Sequence, residues 1–97
     1  MNVLEQDLKF RYQLLGRMVQ DVQYCTRLIK NAKEENREYD FAFILDNHLW
    51  GARENHFKTM RDILNSFSND EQIDWYSLEE MAKDHSLLEE LTGMSIG

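Results

Sequence analysis

Apolar residues recur with helical spacing through the first third of the chain. Along this stretch Arg11 is the one polar residue in an otherwise apolar seven-residue repeat. The repeat places Met1, Leu8, Leu15, Val22 and Ile29 at one position, and Leu4, Met18, Cys25 and Ala32 at the position three further on. Tyr12 and Val19 widen the stripe, which makes it broader than the seam of a two-stranded coiled coil. The pattern predicts one long helix over residues 1–35 whose stripe is a core face.

Two later segments show the same period and predict a second helix over 49–67 and a third over 77–92. Ser77 with Glu80 three residues on forms a capping box, and Gly93 is a plausible terminator, with the last four residues expected to be loose. Residues 36–48 are predicted to be a connection. Within it, 41–45 is either a short buried strand or the start of a helix capped by Asp40. Because no second strand is visible, we favour a helical turn or an extended, packed segment.

These elements predict a single all-α domain over 1–97, a long N-terminal helix with two shorter helices packed along it. Thirty helical residues span about 45 Å, whereas a compact chain of this size is roughly 32 Å across. The long helix must therefore overhang, bend, or be covered by more than one element. Two shorter helices placed end to end, or a second copy of the chain, would each cover it.

Charge is unevenly distributed along the chain. Residues 1–67 contain equal numbers of acidic and basic side chains, so the net charge of −7 comes entirely from residues 68–97. A phosphate-binding surface on this last third is disfavoured, whereas a basic partner would be attracted to it. The predicted partner-binding residues, here called the acidic set, are Asp70, Glu71, Asp74, Glu79, Glu80 and Asp84.

A family resemblance rests on hydrophobic anchors at fixed spacing over about 12–91. These anchors are YQLLGRMVQDVQY (12–24), the tripeptide His-Leu-Trp (48–50), HFKTMRDILNSF (56–67) and WYSLEEM (75–81). Their order resembles one of the large polyvalent protein-associated domain families, with a longer insert over 31–47. The resemblance implies a phage or conjugative-element setting and no established enzymatic activity, so it supplies no catalytic residues.

The sequence contains few groups suited to catalysis or metal binding. Three scattered histidines (His48, His56 and His85) and one cysteine lack the spacing of a metal site. Histidines 56 and 85 are expected to be partly buried at helix edges, and Cys25 to be a buried, inert thiol. No phosphate-binding, dinucleotide-binding or nucleophile-elbow motif is present. We therefore expect no enzyme activity, no metal and no cofactor.

The expected role is protein–protein interaction in the cytoplasm, without direct nucleic-acid or membrane contact. A more specific form of this expectation is that the acidic set imitates a nucleic-acid backbone. The protein would then inhibit a nucleic-acid-binding host protein, as a counter-defence factor does. The alternative is a structural or assembly protein that self-associates as a homodimer through its long N-terminal helix. Trp50 and Trp75, each at a loop–helix junction, are expected to anchor their helices to the core.

Overall fold

A computed structural model describes residues 7–36, 40–49 and 52–96, with no account of the side chains of 52–54. Four helices occupy these ranges, and no strand is found within them: α1 (Leu8–Glu34), α2 (Phe41–His48), α3 (Ala52–Ser66) and α4 (Leu78–Thr92). The predicted all-α architecture is confirmed. Among the described residues, no helix combines the length and the apolar character that crossing a bilayer requires.

Helix α1 is the scaffold of the fold. Asp7 caps its first turn by accepting a hydrogen bond from the Phe10 N–H at 2.8 Å, and Asn36 ends it in the left-handed region at φ 54°. Its predicted apolar stripe is buried, at Leu15, Met18, Val19, Val22, Cys25, Ile29 and Ala32. The stripe is thus covered by the chain's own later helices. Residues 1–6 of the predicted helix lie outside the described residues.

Helix α2 corrects the predicted connection over 36–48, because residues 41–48 are helical. The Asp40 carboxylate accepts a hydrogen bond from the Phe43 N–H at 3.1 Å, which is the capping interaction of the helical alternative. Ile44 and Leu45 are buried against the core. Two turns of helix satisfy the backbone of this apolar segment without the second strand that a sheet would need.

Helices α2 and α3 both pack against α1, and α3 runs antiparallel to it. The ring of His56 at the start of α3 meets α1 at Met18, whereas Ser66 at the end of α3 meets it at Arg11. Helix α4 returns parallel to α1, since Tyr12 contacts Glu71 and Lys33 contacts Leu91. The molecule is elongated, 46 × 27 × 19 Å, because 27 residues of α1 span about 40 Å.

The C-terminal tail packs on the core through Ile96, which corrects the expectation that the last four residues are loose, although Gly97 lies outside the described residues. Gly93 ends α4 at φ 69°, a left-handed conformation that suits glycine. The chain then folds back, and the Ile96 N–H donates to Glu89 Oε2 at 3.0 Å. Ile96 is 0% exposed. The sequence pattern missed this contact because a single apolar residue after a terminator has no period to reveal it.

The polar break in the α1 stripe has a structural role. Arg11 is half-buried, and its Nη1 donates to Ser66 Oγ at 2.7 Å and to the Ser66 carbonyl at 3.4 Å. Its guanidinium also lies over the Phe67 ring, 5.6 Å from the centroid. A cation is favourable at this place because the C-terminus of α3 carries unsatisfied carbonyls and partial negative charge. Arg11 therefore fixes where α3 ends on α1.

Candidate functional site

The start of α4 is fixed by local sequence. The Ser77 hydroxyl accepts a hydrogen bond from the Glu80 N–H at 3.2 Å, as the capping-box pattern predicts. Tyr76 and Met81, on either side of this cap, are both buried in the same core cluster. They occupy the positions of a hydrophobic staple, which sets the angle at which the chain enters a helix. Residues 74–80 are therefore held in a defined conformation at the surface.

Four members of the predicted acidic set face solvent at this end of the molecule: Asp70, Asp74, Glu79 and Glu80. Asp70 Oδ1 accepts a hydrogen bond from the Ser68 hydroxyl at 2.7 Å, and this bond lowers the pKa of the Asp70 carboxyl. Glu79 pairs with Lys83 at 3.9 Å, where both side chains are largely exposed. These four residues are called the acidic surface below.

The other two members of the set, Glu71 and Asp84, are half-buried and are used within the fold. Glu71 Oε1 accepts from the Ser68 N–H at 2.9 Å, which lowers the pKa of its carboxyl. The backbone carbonyl of Glu71 accepts from the Tyr12 hydroxyl and so joins the turn to α1. The Glu71 carboxylate thus closes the turn over 68–71, and it is not presented as a freely solvated group.

Asp84 is joined to a buried tyrosine. Its Oδ2 accepts a hydrogen bond from the Tyr76 hydroxyl at 2.7 Å. Burial raises the pKa of Tyr76 far above its ordinary value, and the bond to the Asp84 carboxylate raises it further. Asp84 also lines a shallow hollow with Gln23, Thr26 and Arg27 of α1. Its position between α1 and α4 gives it a structural role in addition to any role at the surface.

Two exposed apolar side chains accompany the acidic surface. Trp75 is 48% exposed and Leu78 is 43% exposed. The expectation that Trp75 anchors α4 to the core is therefore wrong, because its neighbour Tyr76 fills that place. Trp75 rests beside Gly16 of α1, where an added Cβ would lie 3.9 Å from its Cη2. Trp50, the other tryptophan singled out by the sequence, lies outside the described residues.

The three histidines and the cysteine do not converge. His56 is buried, not partly exposed at an edge as expected, and its Nε2–H donates to the Met18 carbonyl at 2.9 Å. His85 is half-buried against the Phe57 ring, and His48 is exposed beside Tyr24. Cys25 is buried as predicted, and burial raises the pKa of its thiol to about 11. Across the described ranges, no group of three or more metal-ligating side chains is found.

Comparison with known proteins identifies a family. A family model described as large polyvalent protein-associated domain 11 matches residues 8–86, from the start of α1 into α4. The match covers most of the chain, and the chain therefore belongs to this family. Searches of curated proteins and of solved structures give no match.

Proposed function

We propose that this member of the large polyvalent protein-associated domain 11 family is a non-enzymatic interaction protein that acts in the cytoplasm. Its setting is a phage or another mobile element, and its partner is a protein with a positively charged surface. The acidic surface over 70–80 makes the contact, and α1 holds that surface in place. The family membership supports the setting, and the distribution of charge supports the mode of binding.

One observation carries this proposal: exposed carboxylates and exposed apolar side chains occur together at the start of α4. Trp75 and Leu78 lie in sequence between Asp74 and Glu79, on a segment whose backbone is fixed by the Ser77 cap. Interfaces commonly combine a few aromatic anchors with a polar rim. A rim of carboxylates selects a partner that is basic, because complementary charge steers association and like charge opposes it.

A finer form of the proposal is that the acidic surface imitates a nucleic-acid backbone and inhibits a nucleic-acid-binding host protein. Residues 70–90 lie alongside roughly 30 Å of α1, a length over which duplex DNA carries about 18 charges. The exposed acids in this range are Asp70, Asp74, Glu79, Glu80 and Glu90. This density is below a third of that of DNA, so mimicry requires the few carboxylates to occupy the phosphate positions that the partner reads.

The test is a capture experiment with the full chain immobilised and host lysate applied, followed by mass spectrometry of the bound proteins. The acidic-surface variant carries Asp70→Asn, Asp74→Asn, Glu79→Gln and Glu80→Gln. It should retain about one tenth or less of the captured partner, since all four carboxylates that would face the basic partner are neutralised. Circular dichroism should show unchanged helicity.

A matched control removes the same number of carboxylates elsewhere: Glu34→Gln, Glu35→Gln, Asp46→Asn and Asp62→Asn. Capture by this control should stay within about twofold of the wild type, because single rim charges contribute only when they face the partner. Equal loss of partner capture in both variants would show that net charge alone determines binding, which would contradict the proposed site. Added duplex DNA tests the nucleic-acid mimicry separately. If the acidic surface occupies a nucleic-acid-binding site, duplex DNA should displace the protein from its partner.

A further inference from the structure

The outward side of α1 carries the opposite charge to the acidic surface. Four cations are exposed on it between residues 9 and 31: Lys9, Arg17, Arg27 and Lys30. The one acid in this range, Asp21, is half-buried. None of the four forms an ion pair with a carboxylate of the described residues. These four residues are called the basic face below.

The segment that carries the acidic surface runs in the same direction as the basic face. Tyr12 contacts Glu71, Gly16 lies beside Trp75, and Lys33 contacts Leu91. The segment 71–91 therefore runs parallel to α1 with a nearly constant offset along the sequence. Lys9 to Lys30 spans about 32 Å of helix, and the acidic surface over 70–80 lies beside the first half of that length. Each molecule thus carries two faces of opposite charge.

Each face also has an exposed aromatic side chain that can act as an apolar anchor. Tyr24 is 46% exposed and lines a shallow hollow together with Arg27 of the basic face. Trp75, 48% exposed, is the exposed aromatic side chain next to the carboxylates of the acidic surface. Tyrosine, tryptophan and arginine are the residue types that dominate binding energy at protein interfaces. Contact between the two faces would therefore bury aromatic area as well as pair charges.

We propose that one partner of the acidic surface is a second copy of this chain, which presents its basic face. This inference rests on the proposed function and names a partner for the same surface. The contact joins two different faces, so it is heterologous and adds copies head to tail. The predicted homodimer through the α1 stripe would use residues that are buried in the chain's own core, whereas the basic face lies on the outward side of the same helix.

The proposed contact has a defined dependence on salt. The net charge of −7 makes whole molecules repel when ionic strength is low. At about 0.15 M salt the screening length is roughly 8 Å, so that only charges near the contact interact strongly. Self-association should thus be strongest near physiological ionic strength and should be lost at about 1 M, where the screening length falls to roughly 3 Å.

Sedimentation velocity over a wide concentration range tests the inference. The basic-face variant carries Lys9→Gln, Arg17→Gln, Arg27→Gln and Lys30→Gln, and its counterpart is the acidic-surface variant. Each variant alone should associate at least about tenfold more weakly than the wild type, because one half of every contact is neutralised. An equimolar mixture should form a one-to-one dimer that grows no further, since each pair retains one intact contact.

Two results would overturn the inference: a wild-type chain that stays monomeric across the concentration range, or self-association that both variants retain. Circular dichroism and thermal unfolding of each variant separate loss of contact from loss of folding. If the wild type is monomeric but the acidic-surface variant captures less of the host protein, the inference fails and the proposed function stands. If the wild type self-associates as expected but the acidic-surface variant still captures the host protein, the result contradicts the proposed function and leaves the second copy standing.

Discussion

Individual carboxylates in the last third of the chain have different surroundings. Glu71, Asp84 and Glu89 each accept a hydrogen bond from within the fold, donated by Ser68, Tyr76 and Ile96 respectively. Asp70, Asp74, Glu79 and Glu80 face solvent. The sequence predicts the six residues of the acidic set as one partner-binding group, because composition carries no information on how each side chain is hydrogen-bonded. The structure thereby removes two residues, Glu71 and Asp84, from the freely exposed part of the candidate site.

The bond between Tyr76 and Asp84 gives a prediction at this scale. Tyr76→Phe keeps the buried ring and removes the hydroxyl that donates to Asp84. We expect the free energy of unfolding at neutral pH to fall by about 1–2 kcal/mol, since a half-buried carboxylate loses its donor. Urea denaturation measures the loss. Tyr24→Phe is the control, because that side chain is exposed on α1, and its stability should match the wild type within about 0.5 kcal/mol.

The same tyrosine predicts how stability changes at alkaline pH. The folded state raises the pKa of Tyr76 above its ordinary value of about 10, so the folded chain holds this proton more tightly than the unfolded chain. The stabilisation is complete below pH 10 and declines as pH rises above it. In Tyr76→Phe this part of the alkaline decline should be absent. Parallel slopes for both proteins between neutral pH and pH 11 would show that Tyr76 is not linked to folding.

Gly16 illustrates what sequence reasoning can and cannot predict about one residue. A glycine inside a strong helical pattern predicts either a kink or the approach of another element. The structure shows continuous helix with the edge of Trp75 nearby, at a distance that an added methyl group would meet as ordinary contact. Gly16→Ala should therefore raise the free energy of unfolding by about 0.5–1 kcal/mol. A destabilised variant would mean that Trp75 packs more closely on α1 than this contact indicates.

At the scale of elements, hydrophobic period and capping chemistry predicted most of the fold. The long α1, the later helices and the Ser77 cap follow from patterns that extend over several turns or from a specific residue pair. The sequence does not decide between helix and strand for 41–45, because a short apolar run has no period that separates them. The Asp40 cap is a local interaction that the sequence already offers, whereas the burial of Ile44 and Leu45 is a tertiary contact that the sequence cannot show.

The C-terminal tail is the element for which the structure changes the expectation most. Ile96→Ala should lower the free energy of unfolding by about 2–4 kcal/mol, because the side chain is fully buried and its removal leaves a cavity. Thermal and urea unfolding measure this loss. Ser95→Ala, at an exposed neighbouring position, should leave stability within about 0.5 kcal/mol of the wild type. Equal stability of all three proteins would restore the view that the tail is loose.

At the scale of the whole molecule, the length of α1 determines how the rest of the chain is arranged. Helices α2 and α3 pack against it, and the segment from Glu71 to Leu91 runs beside it. The sequence predicts a first helix that is longer than a compact chain of this size is wide. In the structure the chain's own later segments cover the apolar stripe of this helix, without a second copy. This arrangement also places the acidic segment on one side of the molecule and leaves the cations of α1 on its outward side.

We expect the exposed carboxylates to be separable from the fold and the internal ones to stabilise it. The most direct measurement is urea unfolding of two variants: the acidic-surface variant, and Glu71→Ala/Asp84→Ala/Glu89→Ala. We predict that the first stays within about 1 kcal/mol of the wild type, since helix-dipole losses and relief of mutual repulsion oppose each other. The second should lose at least about 2 kcal/mol, roughly 1 for each of the hydrogen bonds accepted by Asp84 and Glu89. Equal losses in the two variants would contradict the account.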